Sequence, residues 1–197
     1  MARQADDSDE PDKTLPEAVR RAFRDGDPAA FERVLDRCQA PLFRMALRMA
    51  ADAGTAEDLV QEALIRAYRK RGFYDPARPL EPWLYRTAMN VFLNAVSARR
   101  GPKAASLDAL TEGPEAVPAP DPERDPLARG DDVARVRALL PELPPEHRAV
   151  IALRYAEDLP VESVAEILGR PIGTVKTILF RTREFLRARL ADSEGRP

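Results

Sequence analysis

Apolar side chains along this chain recur at three- and four-residue spacing, not in the strict alternation of a half-buried strand. The pattern predicts helices throughout. A brief stripe runs from Leu15 to Phe23. Asp27-Pro28 then supplies a cap and a first-turn proline for a helix carrying Phe31, Val34, Leu35 and Cys38. Pro41 is expected to bend or restart that helix before Leu42, Met45, Ala46 and Met49 continue the stripe, with Gly54 ending it. Thr55-Ala-Glu-Asp58 has the form of a capping box, and Leu59, Val60, Ala63, Leu64, Ala67 and Tyr68 make the buried side of the helix it opens. The other side of that helix shows Asp58, Gln61, Glu62, Arg66 and Arg69. A loop over 72–79 sets Phe73 and Tyr74 among turn residues, where exposed aromatics suggest a binding role. The next helix, from Glu81 to about Ala98, turns Trp83, Leu84, Ala88, Val91, Phe92 and Ala95 mostly inward.

The periodicity then fails. Between Pro102 and Gly130 lie six prolines, several acids and few large apolar residues, the composition of an extended, poorly ordered linker. Four further helical stretches follow, over Val133–Leu140, Glu146–Glu157, Val161–Leu168 and Ile172–Leu190. The expected fold is therefore all-α, with two small helical domains over 15–100 and 133–190. A linker over 101–132 joins them, and tails over 1–14 and 191–197 flank them. The first tail is acidic and lacks periodicity, which predicts disorder.

Charge sharpens this division. The net charge of −2 is small, but 31–100 carries twelve basic and eight acidic side chains, and 133–190 carries ten and seven. The intervening 101–132 has three basic and eight acidic residues. Two basic bodies joined by an acidic tether suit a polyanionic ligand, with the tether repelled by it or lodged in a basic groove of a partner. Solvated charged faces would give the same excesses, so charge alone leaves both readings open.

The inventory argues against catalysis. His147 is the only histidine, so multi-histidine metal sites are impossible within this chain and any histidine-based triad would have to be built on this one residue at a helix start. The glycines of Gly169-Arg-Pro-Ile-Gly173-Thr-Val-Lys176-Thr177 have the wrong spacing for a phosphate loop, and no strand precedes them. No cofactor is implied. Cys38 is the only cysteine and sits in an apolar stripe, which excludes an internal disulfide and points to core packing in a reducing cytoplasm. No run approaches the ~20 apolar residues of a membrane helix, and the amino terminus lacks an apolar export core.

Binding chemistry concentrates at the carboxy-terminal end. The helix 161–168, the Gly169-Arg170-Pro171 break and the basic helix from Ile172 form a helix-turn-helix pattern, the arrangement that lays its second helix in a DNA major groove. With Val175, Leu179, Leu186 and Leu190 inward, Lys176, Thr177, Phe180 and Arg181 face outward. Those side chains suit base edges, a thymine methyl and phosphates. Burial of Phe180 would instead favour an ordinary packing role.

Three motifs in order carry a resemblance to a known family. Ala56-Glu-Asp-Leu-Val-Gln-Glu-Ala63, then Trp83-Leu-Tyr-Arg-Thr-Ala-Met-Asn90, then the helix-turn-helix with Gly173-Thr-Val-Lys176, together resemble an extracytoplasmic-function sigma factor of the sigma-70 family. The likeness covers about 28–100 and 133–190. It implies a non-enzymatic, cytoplasmic initiation factor whose region 2-like and region 4-like domains bind core RNA polymerase through the β′ clamp helices and the β flap. On that resemblance Asp58, Gln61 and Glu62 contact polymerase. Phe73, Tyr74, Arg78, Trp83, Tyr85, Arg86, Asn90 and Asn94 capture and melt the minus-10 promoter element. Thr174, Lys176, Thr177, Phe180, Arg181 and Arg183 bind the minus-35 duplex. The linker would thread the RNA exit path, and an anti-sigma factor is an expected regulator. Pro160 replaces a usual capping serine, and Ile178 replaces a commonly basic residue, which would remove a phosphate contact. The residues themselves also admit an autonomous helix-turn-helix regulator that binds an operator as a dimer.

Overall fold

Four helices precede residue 101: α1 (Glu17–Asp25), α2 (Pro28–Met49), α3 (Ala53–Lys70) and α4 (Leu80–Arg100). The computed structural model describes residues 14–50, 52–100 and 133–194, with side chains except at 99, 100, 133, 156 and 192–194. The acidic amino-terminal tail before Thr14 and the whole 101–132 linker lie outside the described residues. After the linker come α5 (Val133–Leu139), α6 (Pro145–Ile151), a π-turn over Ala152–Ala156, α7 (Val161–Leu168) and α8 (Ile172–Glu194). Short 3-10 turns follow α3 and α5. No strand occurs among the described residues.

Local chemistry sets most boundaries. Helix α1 stops at Gly26, whose φ of 92° is the left-handed conformation glycine adopts without strain, and whose N–H bonds back to Phe23 O at 3.0 Å. Asp27 then caps α2, its carboxylate accepting from Ala29 N at 3.4 Å and Ala30 N at 3.3 Å, with Pro28 in the first turn. Pro41 does not restart this helix. It cannot donate an intrahelical bond, yet buried residues on both sides of it, Val34, Cys38, Leu42, Met45 and Met49, hold the 22-residue helix together.

The next boundary differs from the sequence expectation. Helix α2 ends at Met49, and Gly54 lies within the first turn of α3. The cap of α3 is Asp52 rather than Thr55: Asp52 accepts from Thr55 N and from the Thr55 hydroxyl, each at 2.8 Å. An aspartate three residues upstream competes successfully because its carboxylate satisfies two donors at once. At the far end of the chain α8 runs on to Glu194, beyond the expected stop at Leu190.

Buried apolar residues from before and after the linker form one contiguous core. Helix α2 packs against α1, α3 and α4 and also against α6 and the π-turn, while α4 meets α6 and α7. An aromatic group of Phe23, Phe31, Tyr74 and Trp83 closes the end near α1, with ring centroids 5.2 to 6.4 Å apart. Cys38 is buried in this core, and burial first, with the Glu81 carboxylate next, pushes its thiol up to about 12. It is a packing residue that does not form thiolate near neutrality.

Two stability changes separate core from cap. Phe92 is fully buried, so Phe92→Ala should lower unfolding free energy by about 3–5 kcal/mol, whereas Asp27→Ala should cost about 1 kcal/mol. Urea titration followed by helical circular dichroism distinguishes the two, and equal losses would contradict this division.

Candidate promoter and polymerase surfaces

Three surfaces collect the side chains to which the sequence points. The first lies on α3, where the buried stripe Ala56, Leu59, Val60, Ala63, Leu64 and Ala67 leaves Asp58 and Gln61 exposed and Glu62 half-buried beside Arg66. Between α2 and α3 runs a groove of about 640 Å³. Its walls are Leu35, Phe43, Val60 and Leu64, and its rim carries Asp36, Gln39, Glu57 and Gln61. Sequence reasoning found the α3 side and missed the α2 side. The available signal was the exposed run Asp36, Gln39 and Ala40 next to the only half-buried Leu35 and Phe43.

The second surface is the stretch 73–79 with the start of α4. Its two aromatics divide the work: Phe73 is 89% exposed, whereas Tyr74 is 2% exposed. Tyr74 turns inward to pack at a tilt against Trp83, and its hydroxyl donates to the Arg78 carbonyl, which ties the loop shut. Burial pushes its phenol up to about 12. Arg86, Asn90 and Asn94 are exposed along α4, and Trp83 is half-buried. Tyr85 is 6% exposed and faces away from that surface into the core. Desolvation first, then the Glu157 carboxylate, pushes its phenol up. Phe73, Arg78, Trp83 and Arg86 line a cleft of about 430 Å³ whose far wall is Glu166 and Ile167 of α7.

The third surface is the amino-terminal half of α8. The turn before it is fixed by Gly169, whose φ of 64° ends α7 while its N–H bonds to Glu166 O at 3.2 Å. Pro160 begins α7 without any side-chain cap. Val175, Leu179, Leu186 and Leu190 are buried, and Lys176 is exposed. Thr174, Thr177, Phe180 and Arg181 are half-buried; the Thr177 hydroxyl donates to Gly173 O at 3.0 Å. Arg183 donates from Nε to the Tyr155 hydroxyl at 2.9 Å, so it is held by the π-turn. Ile178 is buried, which corrects the expectation that this position faces DNA: a basic side chain here would enter the core rather than reach a phosphate.

Beneath α8, His147 is buried and its Nδ1 lies 2.9 Å from the Thr182 hydroxyl, joining α6 to α8. Desolvation lowers its pKa below the ordinary value of 6.5. Of the described residues, none form a cluster of His, Cys, Asp or Glu suited to a metal ion, and no helix is long and apolar enough to cross a membrane.

With this geometry in view, comparison with known proteins gives the class. Residues 34–101 match the family Sigma-70 region 2, and residues 134–186 match Sigma-70, region 4. The chain belongs to the extracytoplasmic-function sigma factors of the sigma-70 family, which are transcription initiation factors. It is 31% identical over 177 residues to the ECF RNA polymerase sigma factor SigW of Bacillus subtilis, a match covering 87% of this chain and 95% of that one. It is 33% identical over 180 residues to the RNA polymerase sigma-H factor of Pseudomonas aeruginosa, covering 89% and 91% respectively. Among solved structures, the sigma factor RpoE of Bartonella quintana, in complex with the anti-sigma factor NepR, is 26% identical. Its TM-score is 0.59, with 82% of this chain and 96% of that chain covered. CnrH, in complex with the cytosolic domain of CnrY, shares the fold at TM-score 0.66 and 23% identity, covering 89% and 97%.

The buried histidine makes stability depend on pH. A folded pKa below 6.5 means the unfolded chain binds the proton first, so stability is full above about 6.5 and falls as pH drops below it. Thermal melts of the protein and of His147→Gln between pH 8 and 5 check this. The wild type should lose stability below about 6.5, with a shallower slope in the variant, and parallel curves would rule His147 out as the cause.

Proposed function

We propose that the chain docks on core RNA polymerase through α3 and the α2–α3 groove. Residues 15–100 then act as the unit that opens the minus-10 element, and residues 133–190 as the unit that holds the minus-35 duplex. The succession of a region 2 match and a region 4 match on one chain carries this reading. Asp58, Gln61 and Glu62 present acceptors to the β′ clamp helices, and the apolar groove walls beside them supply buried area. The second unit would rest on the β flap, and the acidic linker would follow the RNA exit path.

At the minus-10 element the chemistry is that of single-strand capture. Exposed Phe73 and half-buried Trp83 offer faces on which an unstacked base can stack, Arg78 and Arg86 offer charge, and Asn90 and Asn94 offer amide hydrogen bonds. Tyr74 and Tyr85 support this surface from within. On α8, Lys176 is exposed, with Thr177, Phe180 and Arg181 half-buried beside it and Thr174 and Arg183 at the flanks. An anti-sigma factor is a fitting regulator, since the solved relatives RpoE and CnrH are held by NepR and CnrY. An autonomous operator-binding regulator is not favoured, because the region 2 match would then have no task.

Run-off transcription with purified core polymerase and a promoter library tests the reading. Defined starts that require this chain support it, and tight unaided binding to an operator without any start overturns it. Replacing Asp58 and Gln61 together by alanine should weaken polymerase binding at least tenfold with helicity unchanged, as read by pull-down and circular dichroism. Asn90→Ala should reduce permanganate reactivity of melted minus-10 thymines more than it reduces upstream protection from nuclease; normal reactivity would remove Asn90 from the melting surface.

A further inference from the structure

Helix α6 does not end in an ordinary cap. Over Ala152–Ala156 it widens into a π-turn, a rare form found mostly where function calls for it. The extra residue shifts each later side chain by about 100° around the helix axis, so it re-aims whatever follows. Just beyond, Asp158 has a φ of 48°, in the left-handed region that a side chain other than glycine enters at a cost. Arg154 secures this corner, its Nη1 donating to Asp158 Oδ1 at 2.8 Å and to the Leu159 carbonyl at 3.3 Å. What the turn carries across to α8 is Tyr155, whose hydroxyl accepts the Nε–H of Arg183 at 2.9 Å from 28 positions away.

Arg183 is well placed for a fixed orientation to matter. It follows Lys176 by two helical turns, so the two share one face of α8 with Phe180 between them, about 10 Å apart along the axis. A helix whose amino end reads bases in a groove about 12 Å wide meets the phosphate backbone at that distance. The main chain beside Arg183 is already pinned, because Thr182 is 1% exposed and its hydroxyl lies 2.9 Å from the buried His147 Nδ1. The remaining freedom of Arg183 is its own long side chain. Once Nε is held by the Tyr155 hydroxyl, the plane of the guanidinium is set, and with it the direction of the end that carries both Nη atoms. A lysine here would be a point charge with no such second handle.

We propose that Tyr155, presented by the π-turn, is a positioning residue for DNA binding: its hydroxyl holds Arg183 in the orientation that grips a phosphate beside the minus-35 element. Tyr155 acts through Arg183 and not by its own contact with DNA. The ordering of a flexible arginine is then met in folding and not at each binding event, which gains affinity without any added charge. This inference rests on the proposed minus-35 role of α8.

The test is promoter binding by the full chain assembled with core polymerase, read by fluorescence anisotropy of labelled promoter duplex over a series of salt concentrations. Tyr155→Phe removes only the hydroxyl and should weaken binding about two- to tenfold, the share of one side chain's ordering, with the salt dependence unchanged because every charge remains. Arg183→Ala should weaken binding at least as much and also lower the salt slope by about one phosphate contact. Arg183→Lys keeps the charge and should match Tyr155→Phe in both respects. In either Arg183 background, adding Tyr155→Phe should cost nothing further, a coupling that a merely structural tyrosine would not show. Full binding by Tyr155→Phe, or an equal further loss when it is added to Arg183→Ala, overturns the proposal. Should Tyr155→Phe lose helicity, Arg183→Lys alone decides: wild-type affinity there overturns the proposal, and a loss at unchanged salt slope supports it. The wild-type holoenzyme is compared in parallel on a promoter with a scrambled upstream element. Equal binding to both would sink the minus-35 assignment itself, whereas a normal preference with an inert Tyr155→Phe sinks only the role of Tyr155.

Discussion

The apolar stripe of α2 must be covered along all 22 residues, about 33 Å of helix, and neither group of helices covers it alone. Helices α1, α3 and α4 all pack on α2, whose Val34, Cys38 and Leu42 are buried. Toward its end, where Arg44 and Met49 lie, the coverage comes from α6 and the π-turn, which belong to the other side of the linker. Removing that second cover would expose apolar surface and strip partners from a buried carboxylate and a helix-end carbonyl. The join between the two halves of the chain is therefore part of the core and not a surface encounter.

Functional surfaces sit where this packing leaves room. Helix α3 turns one face to α2 and α4, so the opposite face, with Asp58 and Gln61, is free for a partner. Helix α8 is anchored by Val175, Leu179 and Leu186 and by the His147–Thr182 contact, which leaves Lys176 at the surface. The cleft lined by Phe73, Trp83 and Arg86 is the exception, since Glu166 and Ile167 of α7 also line it. At the loop end of α4, Tyr74 packs into the aromatic cluster while the adjacent Phe73 stands in solvent.

Legibility in the sequence followed the range of the interaction. The α1–α2 boundary was readable because Gly26, Asp27 and Pro28 act within one turn. The inward stripe of α8 was readable for the same kind of reason, since helical periodicity places Val175, Leu179, Leu186 and Leu190 on one side whatever covers them. Pro41 and the α3 cap were misjudged where two local signals competed. A proline's break was outweighed by burial on both sides of it, and Asp52 displaced Thr55 as the cap.

What the sequence determined by itself was the helical character, the division into two basic groups around an acidic, proline-rich stretch, and the family, because periodicity, charge and motif order are properties of neighbours along the chain. Tertiary structure decided which aromatics face solvent, that Tyr85 and Ile178 are interior, and that Arg44 meets Glu157 across 113 positions. Periodicity marks one face of a helix as apolar but does not say which partner covers it. That choice is made only when distant segments compete to bury the same surface, and here the end of α2 was covered from the far side of the linker.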